Sequence, residues 1–216
     1  TYQKFTQNLG QSYTPFPAGQ AGVFWVLSKL RRDIMRDSSE QHYSTRCLIS
    51  HRPPFRTVEP VFFRCACGAV TVVNQTNQAE LPVIHCCGAA LEPLPLCQDA
   101  ELLAQHRITF TVFGGFEHNA IRFAVDSGSH PMGKDHRIEW MYLRTYQGGQ
   151  LKYLPLNRRA VANFSLADED AFVYCDREIC RMGREHCQFQ CKRGMVVYAY
   201  CNLHGLMRLK LGENGN

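Results

Sequence analysis

Near its end the chain reads YCNLHG, Tyr200 to Gly205, which sets a thiol, Cys201, and an imidazole, His204, three residues apart on a turn closed by glycine. At that spacing both side chains reach one point, and a thiolate with an imidazole grips a transition-metal ion. A second pair, His130 and His136, brackets the stretch HPMGKDH, where Pro131 and Gly133 keep the backbone from becoming helical and let two rings converge. Histidines in such a loop are more often ordinary, partly buried side chains. Joined to Cys201 and His204, they become a candidate metal site.

The chain has 11 cysteines among 216 residues, an odd number that disulfides alone do not consume. Cys65, Cys67, Cys86 and Cys87 form one set and Cys175, Cys180, Cys187 and Cys191 another, while Cys47 and Cys97 belong to neither. Clustered thiols with glycine close by read as metal sites rather than as a secreted disulfide framework. For the second set, zinc, an iron-sulfur cluster or two local disulfides are all open.

These residues need elements to place them. AGVFWVLSKLRRDIMRDSSEQ repeats Val23, Val26, Leu27, Leu30 and Ile34 at helical spacing, and HRPPF then breaks regular structure. From Val61 onward the pattern is period two, in VFFRCACGAVTVV, LPVIHCCGAALEPL, HRITFTVFGG, HNAIRFAV, HRIEWMYLRTY, ANFSL and MVVYAYCNLHGLM. Short β-runs separated by Gly, Asn and Asp turns predict an all-β sandwich or barrel. The net charge of +5 is mild and scattered apart from KLRRDIMR, so nucleic acid is not an expected partner. No run approaches the roughly 20 apolar residues of a membrane helix, and no membrane partner is expected.

HPM, HRIEW and YCNLHGL, in this order, resemble the iron-binding domain of the superoxide reductase or desulfoferrodoxin family, over residues 92–210. The resemblance implies an immunoglobulin-like β-sandwich holding one mononuclear non-haem iron by four histidines and one cysteine, with one position left for substrate. It carries directly onto His130, His136, His204 and Cys201. The fourth histidine of the family precedes a hairpin that leads into HPM. His106 and His118 are the candidates, and the β-run, Gly114-Gly115 turn and second β-run after His106 select it, leaving His118 a supporting or solvated role. Where the family has Glu-Lys before that histidine, this chain has Ala104 and Gln105. Lys134 is the nearest substitute for the missing catalytic cation; an ordinary solvated loop lysine is the other reading.

CACG and HCCG resemble the desulforedoxin-like domain that precedes the iron domain in two-iron members, with Ala66 alone between the first two cysteines where the family has two residues. The resemblance implies a tetrahedral four-cysteine site for iron or zinc, a one-electron relay if iron. The expected organisation is an N-terminal extension with one helix at 1–60, the desulforedoxin-like domain at 61–95, and the sandwich at 96–216 with a cysteine-rich insertion at 174–194. The implied activity is that of a superoxide reductase, an oxidoreductase turning superoxide into hydrogen peroxide. A rubredoxin-like electron donor, a homodimer and a cytoplasmic location are implied with it. Two rivals stay open: a non-catalytic electron-transfer or structural protein of the same fold, and a zinc-dependent interaction module.

Overall fold

The period-two runs fold as antiparallel strands in the computed structural model, which describes residues 54–114, 119–171 and 192–212. The helix expected in the N-terminal extension, His118, and the four cysteines of the expected insertion, Cys175, Cys180, Cys187 and Cys191, lie outside the described residues. Everything described belongs to one of the two units of the chain, His42–Asn216.

Two small hairpins come first, β1 (Val61–Arg64) with β2 (Val70–Val73) and β3 (Ile84–Cys86) with β4 (Ala89–Leu91). Helix α1 (Ala100–Gln105) leads into β5 (Ile108–Phe113), β6 (Ala120–Val125) and a 3-10 turn at Asp126–Gly128. Strands β7 (Ile138–Arg144), β8 (Gly149–Tyr153) and β9 (Val161–Ser165) follow, then α2 (Asp168–Ala171), β10 (Val196–Cys201) and β11 (Gly205–Lys210).

Two sheets result, a four-stranded one in the order β11-β10-β7-β8 and a three-stranded one in the order β5-β6-β9. Alternation makes them face each other. Ile121, Phe123 and Val125 of β6 share a buried cluster with Met141 and Leu143 of β7 and Val197 and Ala199 of β10, while Arg122 between them points to solvent. Each of these side chains larger than alanine contributes about 1.5–3 kcal/mol on leaving water. This is the all-β, immunoglobulin-like sandwich that was expected.

The opposite face of the four-stranded sheet is covered too. Trp140, Tyr142, Val196, Tyr198 and Tyr200 pack with Phe62 of β1 and with the partly buried Val70, Val72, Leu94 and Leu96. Phe62 stacks on Trp140 with ring centroids 5.2 Å apart, and Trp140 lies almost parallel to Tyr200 at 5.3 Å. Strand β10 is therefore buried along all six residues. Its pairing with β7 slips at the end: Tyr200 faces Trp140, but Cys201 faces Ile138, so Glu139 is the extra residue of a β-bulge.

Gly149 shows why β8 begins where it does. A Cβ there would stand 1.9 Å from the Tyr142 hydroxyl oxygen, which crosses this position to donate to Asn74 Oδ1 at 2.8 Å. Neither α1 nor β8 was read from the sequence. No described helix is long and apolar enough to cross a membrane.

Candidate metal centre

Each ring of the histidine cluster is aimed by its own piece of backbone. Asp99 caps α1, its carboxylate accepting from the Glu101 and Leu102 N–H groups at 2.9 and 3.1 Å. The helix stops at His106, which is its C-cap rather than the start of a strand, and both the backbone N–H and ring Nδ1 of His106 approach the Leu102 carbonyl, at 3.0 and 2.7 Å. A carbonyl only accepts, so Nδ1 carries the proton and Nε2 keeps its lone pair. His130 follows the 3-10 turn and does the same, donating from Nδ1 to the Pro131 carbonyl at 2.7 Å.

Asn202 fixes the third. Its Oδ1 accepts from the Arg137 N–H at 2.7 Å and its Nδ2 donates to the Asp135 carbonyl at 2.8 Å, clamping His136 between them against the β10–β11 turn. That turn carries Cys201 and His204, and Gly205 closes it at a φ of 82°, a left-handed value that suits glycine.

The outcome is convergence. One donor atom each from His106, His130, His136 and Cys201 lies within 4.8 Å of all the others. His204 stands beside them, its Nδ1 3.1 Å from His106 Nε2 and 3.5 Å from Cys201 Sγ. The four rings occupy the corners of a near-square: successive centroids 106–130–136–204–106 are 4.7, 4.6, 4.9 and 4.7 Å apart, and the 106–136 diagonal is 6.1 Å.

A metal ion fits this donor set. Nε2 of His130 and of His136 are buried and have no hydrogen-bond partner among the described residues. Leaving such an atom unpaired costs about 1–3 kcal/mol, which coordination would remove. Burial holds the His106, His130 and His136 rings below the ordinary imidazole range, His130 down to about 4. They are thus neutral near pH 7, the state that binds metal. Burial pushes the Cys201 thiol up, so a cation must draw its proton off.

The first cysteine set also comes together. Cys65, Cys67, Cys86 and Cys87 offer sulfurs within 4.8 Å of one another, with Cys67 and Cys86 at 3.6 Å. Two turns build it. Gly68 donates its N–H to the Cys65 carbonyl at 2.9 Å, and Cys87 and Gly88 form the two-residue loop of the β3–β4 hairpin with φ of 51° and 80°. Positive φ at both loop positions is the type I′ geometry. The single residue between Cys65 and Cys67 does not prevent four thiols from meeting. The Ala69 backbone N–H and the neighbouring thiols draw Cys67 down to about 7.

One ionic network escaped the sequence reading. The Glu139 carboxylate receives Arg64 Nε at 2.9 Å and Nη2 at 3.1 Å, and Arg137 Nη2 at 2.6 Å. Arg64 also lies over the Tyr200 ring, 5.3 Å from its centroid. The sequence signal was proximity: Arg64 precedes Cys65, Arg137 follows His136, and Tyr200 precedes Cys201. Lys134 is exposed in the loop between His130 and His136, where its carbonyl accepts from Arg137 Nη1.

The desulfoferrodoxin family model matches residues 114–210, a span that contains His130, His136, Cys201 and His204 and excludes His106. Among solved structures, the superoxide reductase of Treponema pallidum is similar at 23% identity over 70% of this chain and 98% of its own, with a TM-score of 0.48. A superoxide reductase (neelaredoxin) of Ignicoccus hospitalis is 18% identical over 52% of this chain and 83% of its own, with a TM-score of 0.33. The 1Fe superoxide reductase of Giardia intestinalis is 17% identical over 50% of this chain and 98% of its own, also with a TM-score of 0.33. A search of curated proteins gave no significant match. Residues 114–210, just under half of the chain, thus carry its likeness to the desulfoferrodoxin family.

Proposed function

We propose that the chain is a superoxide reductase that reduces superoxide to hydrogen peroxide at a mononuclear iron held by His106, His130, His136, His204 and Cys201. One observation carries the reading: four imidazoles in a near-square surround a point that a single buried thiol also reaches. Ferrous iron bound there supplies one electron, and superoxide with that electron and two protons gives hydrogen peroxide. Neutral imidazoles leave the cation's charge intact and so favour an anionic substrate. Cys201, once deprotonated, donates electron density that makes the electron easier to release. Lys134 draws superoxide toward the site from solvent.

The same proposal includes iron or zinc on Cys65, Cys67, Cys86 and Cys87, with iron there serving as a one-electron relay. A rubredoxin-like donor, a homodimer and a cytoplasmic location complete it.

Metal analysis of the purified protein, joined to superoxide consumption by the reduced form, tests the whole. Stoichiometric iron with rapid consumption, lost in Cys201→Ser, is the expected result. Iron without consumption points to a non-catalytic relative, which the absence of a cation at Ala104 and Gln105, at the end of α1, would favour. Zinc without redox-active iron would sink both.

A further inference from the structure

The two clusters are joined by a single carboxylate. Arg64 is the last residue of β1, and the next residue, Cys65, is the buried thiol of the cysteine set. The Arg64 guanidinium grips Glu139 through two bonds, at 2.9 and 3.1 Å, and covers Tyr200, the residue before Cys201. Glu139 is the bulge residue opposite the Tyr200–Cys201 step, and its other partner, Arg137 at 2.6 Å, directly follows His136. The pair is largely shielded, with side chains 22% and 13% exposed, so it is not an ordinary surface ion pair screened to nothing.

Backbone hydrogen bonds in the β1–β2 turn hold Cys65, but between the two hairpins the sulfurs meet through weak contacts, such as the one at 3.6 Å between Cys67 and Cys86. An ion binding them ties the β3–β4 hairpin to the turn after β1 and so restrains the end of β1, where Arg64 stands. A fixed Arg64 fixes Glu139, and Glu139 orders both the Arg137–His136 segment and the end of β10. The second ion to bind then finds residues whose ordering has already been achieved, which is positive coupling without any large movement.

We propose that Arg64 and Glu139 couple the two centres, so that filling the four-cysteine site raises the affinity of the histidine-cysteine site for its ion, and the reverse. The inference rests on the reading of both clusters as metal sites. By linkage the factor must be the same in both directions, and about 5-fold or more is the usual scale for such coupling.

The experiment uses the full chain. Ferrous iron is titrated against a competing chelator, and occupancy of the histidine-cysteine site is read after oxidation from the visible thiolate-to-iron band that Cys201→Ser removes. The four-cysteine site is emptied by the double change Cys67→Ser, Cys86→Ser, first in the parent chain and then in Arg64→Met and Glu139→Gln backgrounds. The double change should weaken iron binding about 5-fold in the parent and leave it unchanged in either background. A general loss of stability does not imitate this, because the signal is a difference between backgrounds. Glu139→Gln keeps the shape of the side chain if Arg64→Met folds poorly. Equal weakening in all three backgrounds, or none in the parent, overturns the coupling while leaving both sites in place. No band in the parent defeats the reading of the site and the coupling with it.

Discussion

His106 Nε2 and His204 Nδ1 face each other at 3.1 Å although they stand 98 positions apart in the chain. One ring caps α1 and the other sits in the turn between β10 and β11. Their meeting depends on a small junction, since Leu96 bridges to Leu206 and the Cys97 N–H donates to the Leu206 carbonyl at 2.7 Å. The chain just before α1 is thereby docked on β11, and the helix carries His106 to the site.

Loss of His106 should therefore cost more than loss of a supporting residue. His106→Ala is expected to weaken iron binding by more than about 100-fold, whereas His118→Ala stays within the roughly 10–100-fold typical of a residue that only orients ligands. Chelator competition measures both, and equal loss in the two variants would remove His106 from the ligand set.

Cys201→Ser should abolish the visible thiolate-to-iron band of the oxidised protein. Optical spectra before and after oxidation by superoxide decide it. A variant that keeps band and superoxide consumption places the thiolate elsewhere.

Lys134, exposed in its loop, would act at a distance through its charge. A cation beside the site raises local anion concentration by roughly 10-fold, an effect that salt screens. Lys134→Ala is expected to slow the second-order reaction and flatten its dependence on ionic strength, with the band unchanged. If rate and salt dependence both stay as they were, Lys134 is a solvated loop residue, and Gln105→Lys should then be the change that speeds the reaction.

The buried histidines make the metal-free protein acid-sensitive. His130 titrates at about 4 in the folded chain against 6.5 for an ordinary imidazole, so the unfolded chain binds more protons between those values. Stability consequently rises with pH across that window, is fully present above it, and falls as the pH is lowered through it. Urea denaturation of the metal-free protein across the window should show this slope, and His130→Gln should flatten it; an unchanged slope in that variant assigns the effect to other groups.

Asn202 is the clamp on the His136 loop. Asn202→Ala removes both of its side-chain hydrogen bonds and should lower stability by about 1–3 kcal/mol and iron affinity by roughly 10-fold or more. Asn202→Asp, which keeps the acceptor for the Arg137 N–H and loses the donor, should recover part of each. Iron affinity equal to the parent's in Asn202→Ala would show that His136 is held by other contacts.

Much of this site was legible because its ligands sit in local patterns. Cys201 and His204 share one turn, His130 and His136 one loop, and the four thiols two tight turns, so spacing alone paired them. His106 required an argument about a hairpin, and it is positioned by a helix whose only advance signal was Asp99 before a run of helix formers, Ala100 to Gln105. The missed β8 is a five-residue strand that begins at Gly149, where the crossing Tyr142 hydroxyl leaves no room for a side chain. The Arg64–Glu139–Arg137 network was hidden for another reason. Charged residues 75 positions apart carry no periodicity, and only the β1–β2 hairpin lying on the sheet brings the first two together.

Strand β10 is hydrogen-bonded along both edges, to β7 and to β11, and buried on both faces. Amides so placed exchange with solvent only when the whole domain opens, whereas those of a loop such as Met132–Asp135 exchange through small local fluctuations. Cys201 is therefore expected on slowly exchanging backbone and His136 beside a faster-exchanging loop. In deuterium exchange the thiol's strand should stay protected long after the Lys134 loop has labelled. Among the described residues, the sulfur would thus be anchored on backbone slow to open, and the loop between His130 and His136 would be the side left freer to yield.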